Sequence, residues 1–296
     1  MKKPLSLVLA IVFAFGFAVP AFAATSYLYS SFNIRNGDMR ATAHRGYSSI
    51  APENTLPAFR LAGEYGFWGA ECDIHLTSDG VWVVSHDTTI DRMTDGEGAI
   101  ADMTYEELMS YTIDAGSNIA DYPDLKTPTL VEYLDVCKEF GLHCVIEIKD
   151  IPSDDYGSLA RILNAREEKD RFVIISFDRN ALLAVRPLMP ETPMYLLESP
   201  ATQSGIDFCL ANGIDGIDFS YITDEETVCA IQDAGLRTMV WTVDDLKTAE
   251  TYYGWGVRDI TTNSLVPQQP KFGNFLRQLV WWFRDLFARF AAMFSK

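Results

Sequence analysis

The sequence predicts a parallel α/β fold, a TIM (β/α)8 barrel, on three observations. Eight short strand-like runs are spaced along the chain: TAHRG, WGAECDIHL, LHCVIEIK, RFVIISF, PMYLLE, GIDGIDFS, LRTMVWTVD and VRDITTN. Helix-length segments separate them, the alternation expected of parallel βα units. No GxGxxG phosphate loop is present, so a closed barrel is favoured over a doubly wound sheet. With 296 residues, a single barrel domain over about residues 40–265 uses nearly all of the length.

Taken in order, the chain opens with a basic start (Lys2, Lys3), an apolar run from Leu5 to Val19, and Ala21-Phe22-Ala23 before Ala24. Residues 1–23 therefore read as a secretory signal peptide, the run being short for a bilayer span. Export to an extracellular or periplasmic location is the expectation. In AHRGYSSIAPENT, HRG closes the first strand, and Asn54-Thr55 caps a helix over Leu56 to Tyr65. Glu53 either completes a site there or braces the loop.

In LTSDGVWVVSHD, Asp79-Gly80 between two strand-like runs predicts a hairpin that delivers His86 near the end of its second strand. The segment from Asp87 to Lys126 is long for a connection and reads as an insertion over the barrel mouth. Thr129 caps a helix over Leu130 to Phe140, and Thr223 precedes another over Asp224 to Ala234. Gly66, Gly141 and Gly235 end the three helices.

The net charge is -17, although the leader and the last 26 residues are basic. So acidic a body repels nucleic acid and attracts divalent cations. Five cysteines (Cys72, Cys137, Cys144, Cys209, Cys229) show no CxxC spacing and read as buried apolar thiols. Cys137 and Cys144 could bridge if the turn at Gly141 brings them together.

Alternate residues of a strand share a face, so Glu71, Asp73 and His75 point one way while Cys72 and Ile74 point the other. Glu147 and Lys149 repeat the spacing in VIEIK. The C-terminal ends of barrel strands carry the active site, and there Glu71, Asp73 and Glu147 can converge. Clustered carboxylates need either salt bridges to bases such as Arg45 and Lys149 or a hard cation, Ca2+ or Mg2+. His44 and His86 can exchange protons near neutrality, while Arg45 and Lys149 supply the fixed positive charge that a phosphoryl oxyanion needs. His75 and His143 read as satisfied structural residues. With no GxSxG elbow and no cysteine nucleophile motif, metal-assisted hydrolysis is the favoured class.

The blocks HRG (44–46), PENTLPAF (52–59), ECDIHLTSDG (71–80), VVSHD (83–87) and EIK (147–149) resemble, in order and spacing, the glycerophosphodiester phosphodiesterase family. DRMTDGEG (91–98) and MVWTVD (239–244) extend the resemblance over roughly residues 40 to 265. It implies a TIM barrel that uses a divalent cation to hydrolyse glycerophosphodiesters to glycerol 3-phosphate and an alcohol. By resemblance, His44 and His86 are the acid/base pair, and Glu71, Asp73 and Glu147 are metal ligands. Arg45 and Lys149 contact phosphate, and Trp241 lines the pocket. The family's mechanism has a substrate hydroxyl attack phosphorus before water opens a cyclic phosphate. Its likeness extends to lysophospholipase D-type enzymes. Where the family often has Thr-Asp-x-Pro near its last strand, this chain has TTNSLVP, and Asn263 in place of an acid removes a rim charge.

Residues 271–296 form a basic amphipathic pattern, with Arg277 and Arg284 on one helical face and Phe275, Leu279, Trp282, Phe283, Leu286, Phe290 and Phe294 largely on the other. Such a helix can lie in a membrane surface or pack on protein. A lipid- or wall-polymer-binding module without catalysis, and an enzyme acting on lysolipids or teichoic-acid-like polymers, are the competing functional classes.

Overall fold

The computed structural model describes Ile34, residues 39–149 and residues 155–267; the leader and the basic tail lie outside the described residues. The strands are β1 (Arg40–Ala43), β2 (Gly69–Leu76), β3 (Trp82–Val84), β4 (His143–Ile148) and β5 (Phe172–Ser176). β6 (Met194–Glu198), β7 (Gly216–Ser220), β8 (Arg237–Trp241) and β9 (Asp259–Thr262) complete them. Around the sheet the order is β1-β2-β4-β5-β6-β7-β8-β9 and back to β1, all parallel. That is the closed (β/α)8 barrel the sequence predicts, with β3 added antiparallel to β2. The turn between them is tight: Thr77 N–H donates to Val81 O at 3.0 Å, and Gly80 takes φ +82.

Strand alternation sorts the side chains. Val145, Val173, Ile175, Tyr195, Leu197 and Met239 pack as one apolar cluster, and Glu147 shares the face of Val145 two residues earlier. Cys144, Ile146 and Ile148 take the opposite face of β4, toward the helical layer. There α1 (Leu56–Glu64) and the helix from Leu130 to Phe140 meet, with the Phe59 and Tyr133 rings edge-on at 4.7 Å. Tyr133 also donates its hydroxyl to Ala70 O at 2.7 Å, tying that helix to β2.

The segment after the hairpin is folded rather than irregular. It holds α2 (Tyr105–Leu108), capped by a Thr104–Glu107 box, between short 3-10 turns at Ile100–Asp102 and Ile119–Asp121. Ile90, Ile100 and Leu108 form a small core on Val83 of β3. Ser117 Oγ donates to Ser48 O at 2.7 Å and Asn118 Nδ2 to Ile50 O at 3.1 Å, fastening this segment to the loop that follows β1.

The remaining helices are α3 (Leu130–Phe140), α4 (Tyr156–Asn164), α5 (Arg179–Val185), α6 (Gln203–Asn212), α7 (Glu225–Asp233) and α8 (Leu246–Gly254). Thr129 caps α3 in a box with Glu132, and Gly66, Gly141 and Gly235 all take positive φ at the ends of α1, α3 and α7. Three local expectations are corrected. Asp224, read as the first residue of its helix, is instead the cap of α7, because its carboxylate accepts from Thr227 N–H. Thr55 alone caps α1, which leaves Asn54 free for another role. Of the five cysteines read as buried thiols, Cys229 is exposed, while Cys72, Cys137, Cys144 and Cys209 are free and buried as expected, with no bridge between Cys137 and Cys144.

The HRG turn seats directly on α1. Gly46 has φ +76, and a Cβ there would lie 2.7 Å from the backbone carbon of Ala58. Only glycine allows this backbone-on-backbone approach, which sets His44 and Arg45 at the strand end.

Candidate active site

In the β2–β4 register Asp73 pairs with Glu147 and Glu71 with Val145, so three acids face one point at adjacent strand ends. Glu71, Asp73 and Glu147 each offer a carboxylate oxygen, all within 4.8 Å of one another, and all three residues are buried. Like charges this close are strongly repulsive in a low-dielectric interior. Two cations answer them: Lys149 Nζ lies 2.7 Å from Glu147 Oε1 and 3.3 Å from Asp73 Oδ1, and Arg45 Nε lies 3.4 Å from Asp73 Oδ2. One negative charge in excess remains. Glu71 Oε2 accepts from Arg45 N–H at 2.8 Å, but buried Oε1 has no partner.

The titration directions follow from this crowding. Burial first, then the charges of Asp73 and Glu147, push Glu71 well above the usual carboxylate range. Burial and Asp73 raise Glu147 to about 7. Asp73 goes the other way: burial opposes ionisation, but Lys149 and Arg45 outweigh it and hold the carboxyl low. An all-oxygen set with an orphaned oxygen and two carboxyls resisting ionisation fits a hard divalent cation.

Backbone conformation brings the groups around Asp73. Arg45 and Asn54 both take φ 56, unusual for non-glycine residues. The payoff is positional: Asn54 Nδ2 donates to Asp73 Oδ2 at 2.7 Å, while Arg45 reaches both Asp73 and Glu53. Glu53 Oε1 accepts from Arg45 Nη1 at 2.9 Å and from Arg92 Nη2 at 2.7 Å, which resolves its role as a brace between the first loop and the inserted segment.

Each sequence-predicted histidine reaches the same cavity, an open space of about 740 Å3. His44 Nδ1 lies 2.8 Å from Asn263 Oδ1. Asn263 Nδ2 donates to Asp244 Oδ2 at 2.7 Å, which orients the amide so that its oxygen faces the ring. Nδ1 must then carry the hydrogen, which leaves Nε2 unprotonated in the neutral ring, 4.0 Å from Glu71 Oε2. Burial, with help from Arg45, lowers the pKa of His44 and favours its neutral form. His86 is held alike: Nδ1 donates to Asp87 Oδ1 at 2.7 Å, and Arg92 binds the other Asp87 oxygen. Although burial opposes ionisation, Arg92 and His86 bring the Asp87 pKa down to about 2.

His44, Arg45, Glu71, His86, Glu147, Lys149 and Trp241 line the cavity, and Asp73 stands buried behind them. Ile175, Phe177 and Leu197 supply apolar wall, with Phe177 edge-on to Trp241 at 5.7 Å. His75 and His143 are structural, as expected: His75 Nε2 donates to His86 O at 3.2 Å, and His143 stacks on Trp68 at 4.0 Å. Sequence reasoning missed Asn54, Asp87, Arg92, Asp218 and Asp244. Asn263, read only as the loss of a rim charge, also accepts from His44. Adjacency in SHD could have flagged Asp87, and an acid amid the apolar IDF run could have flagged Asp218.

The profile of the glycerophosphoryl diester phosphodiesterase family matches residues 44–266, from His44 to beyond the last strand. The chain belongs to this family. A glycerophosphodiester phosphodiesterase of Caldanaerobacter subterraneus is 33% identical over 228 residues, covering 75% of this chain and 92% of that one. Human glycerophosphodiester phosphodiesterase 1 is 44% identical over 110 residues, which is 37% of this chain and only 33% of the human protein. Among solved structures, a phosphodiesterase of Oleispira antarctica in complex with the product sn-glycerol-3-phosphate superposes with a TM-score of 0.67. It is 28% identical and covers 77% of this chain and 95% of its own. The family profile thus spans every residue of the acidic cluster.

A pH prediction follows for metal-free protein. Glu147 is raised from 4.5 to about 7, so its folded form holds a proton the unfolded chain releases. Its contribution is fully present below about pH 4.5 and is lost as pH rises toward 7, by about 3 kcal/mol. Urea denaturation in chelator should show this decline, and Glu147→Gln should flatten it; an identical pH profile in the variant would refute the assignment.

Proposed function

We propose that the protein hydrolyses glycerophosphodiesters to glycerol 3-phosphate and an alcohol, with a divalent cation and histidine acid/base chemistry. The observation that carries this reading is the meeting of three buried carboxylates, two cations and two oriented histidines in one cavity. Membership of the family and the names of its relatives support it.

Glu71, Asp73 and Glu147 are the residues that would hold Ca2+ or Mg2+, which supplies charge neutralisation at the phosphoryl oxygens. Arg45 and Lys149 bind and orient the phosphate by charge-assisted hydrogen bonds. His44 Nε2, neutral and aimed by Asn263, takes the proton of the attacking hydroxyl. His86 Nε2 delivers a proton to the leaving alcohol oxygen, while Asp87 steadies the ring at Nδ1. No serine or cysteine lines this cavity among the described residues, and the attacking oxygen is assigned to the substrate or to water.

The apolar wall of Ile175, Phe177, Leu197 and Trp241 favours one second reading, a lysolipid or other bulky alcohol as leaving group. A non-catalytic binding module is disfavoured by the two oriented histidines, which binding alone does not require. For location, we infer export through residues 1–23 and membrane-surface attachment through residues 271–296; both rest on sequence pattern.

Chelation should abolish release of glycerol 3-phosphate from glycerophosphocholine, and readdition of Ca2+ or Mg2+ should restore it. His44→Ala and His86→Ala should each lower kcat by about 10²- to 10⁴-fold. Full turnover in chelator, or an unimpaired His44→Ala enzyme, would sink the mechanism. Deleting residues 271–296 should release the protein from anionic liposomes, and unchanged sedimentation with vesicles would refute the membrane assignment.

A further inference from the structure

Asp218 sits in the middle of β7, 1% exposed, on the wall of the same cavity. Its partners in register are Leu197 on β6 and Met239 on β8, both members of the interior apolar cluster. Trp241 Nε1 donates to the backbone carbonyl of Asp218 at 3.2 Å and leaves the carboxyl untouched. Oδ1 is buried and has no hydrogen-bond partner among the described residues. Asp218 is neither ion-paired nor one of the three clustered carboxylates that can share a metal.

A barrel interior is normally filled by branched apolar side chains. A buried polar atom left unpaired costs about 1–3 kcal/mol, and a leucine at this position would avoid that cost. Asp218 lines the cavity, so a polar group seated against this wall is the partner within reach of its carboxyl. Burial, then the charges of Glu147 and Asp259, push this carboxyl well above the usual range. A protonated carboxyl both donates and accepts, which matches a hydroxyl group. Phosphate oxygens have Arg45 and Lys149 at the opposite, polar side of the cavity.

We propose that Asp218 is a specificity-determining residue that hydrogen-bonds a hydroxyl of the substrate's glycerol moiety, selecting glycerol phosphates over alkyl phosphates of equal charge. This rests on the phosphodiesterase reading, extending it from the phosphate to the group attached to it. The recognition is steep because the site pays the cost of an unpaired buried group when the hydroxyl is missing.

The test compares binding of sn-glycerol 3-phosphate and ethyl phosphate by calorimetry, with Ca2+ or Mg2+ in excess, alongside turnover of glycerophosphocholine. Wild type should prefer glycerol 3-phosphate by about five- to tenfold. Asp218→Leu should bring the ratio to about one by weakening glycerol 3-phosphate, and Asp218→Asn, whose amide still donates and accepts, should keep most of the preference. If the leucine variant does not fold, Asp218→Ala carries the same comparison. A ratio unchanged on losing the carboxyl, or equal weakening of both ligands, overturns the inference. Wild type that turns over glycerophosphocholine without any preference overturns the inference and leaves the phosphodiesterase reading intact; wild type with neither turnover nor binding overturns both.

Discussion

Mutual repulsion among Glu71, Asp73 and Glu147 is the constraint around which the mouth of this barrel is built. Parallel pairing of β2 with β4 sets the three acids on one face of adjacent strands. The cost is offset locally, by Lys149 between Asp73 and Glu147 and by Arg45, whose side chain meets Asp73 and whose backbone N–H donates to Glu71. Arg45 can get there only because the chain turns left-handed after β1 and Gly46 lets the turn sit on α1. Strain in the loop is thus the counterpart of charge in the barrel, a pattern expected where function overrides local preference.

The two histidines solve one problem with different parts. Each must present Nε2 to the cavity, and each is oriented through Nδ1 by an acceptor that is itself anchored. For His44 the acceptor is the neutral amide of Asn263, fixed by Asp244 at the β8–β9 side of the barrel. For His86 it is the carboxylate of Asp87, fixed by Arg92 from the inserted segment. Arg92 also grips Glu53, so the inserted segment, the first loop and the hairpin form one continuous brace. One ring thus has a neutral partner and the other an anionic one, an asymmetry in keeping with the base and acid roles proposed for them.

Strand periodicity and turn chemistry carried most of the fold in the sequence. The Asp79-Gly80 hairpin, the Thr129 cap and the terminal glycines of α1, α3 and α7 are local devices, and local devices are readable. All eight predicted site residues lie in or directly behind one cavity because i, i+2 spacing at strand ends is a local signal too. What escaped depends on contacts across the closed barrel. Asn263 meets His44 only because β9 pairs with β1, and nothing within TTNSLVP reveals that. Asn54 read as a cap because PENT precedes a helix, but its left-handed backbone turns the amide to Asp73. Asp224 read as the first helical residue of α7, and its carboxylate caps that helix instead. Cys137 and Cys144 remain free thiols in the core, as their apolar surroundings in the sequence suggest.

We read this acidic cluster as a divalent-cation site rather than a self-sufficient salt-bridge network. Its most direct test is calorimetric titration of Ca2+ and Mg2+ into chelator-stripped protein at about pH 6, in two buffers of different ionisation enthalpy. The account predicts saturable binding of one ion per chain with release of protons, since Glu71 and Glu147 resist ionisation until a cation arrives, and loss of that binding in Glu71→Gln. No saturable binding, or binding unchanged by Glu71→Gln, would contradict it.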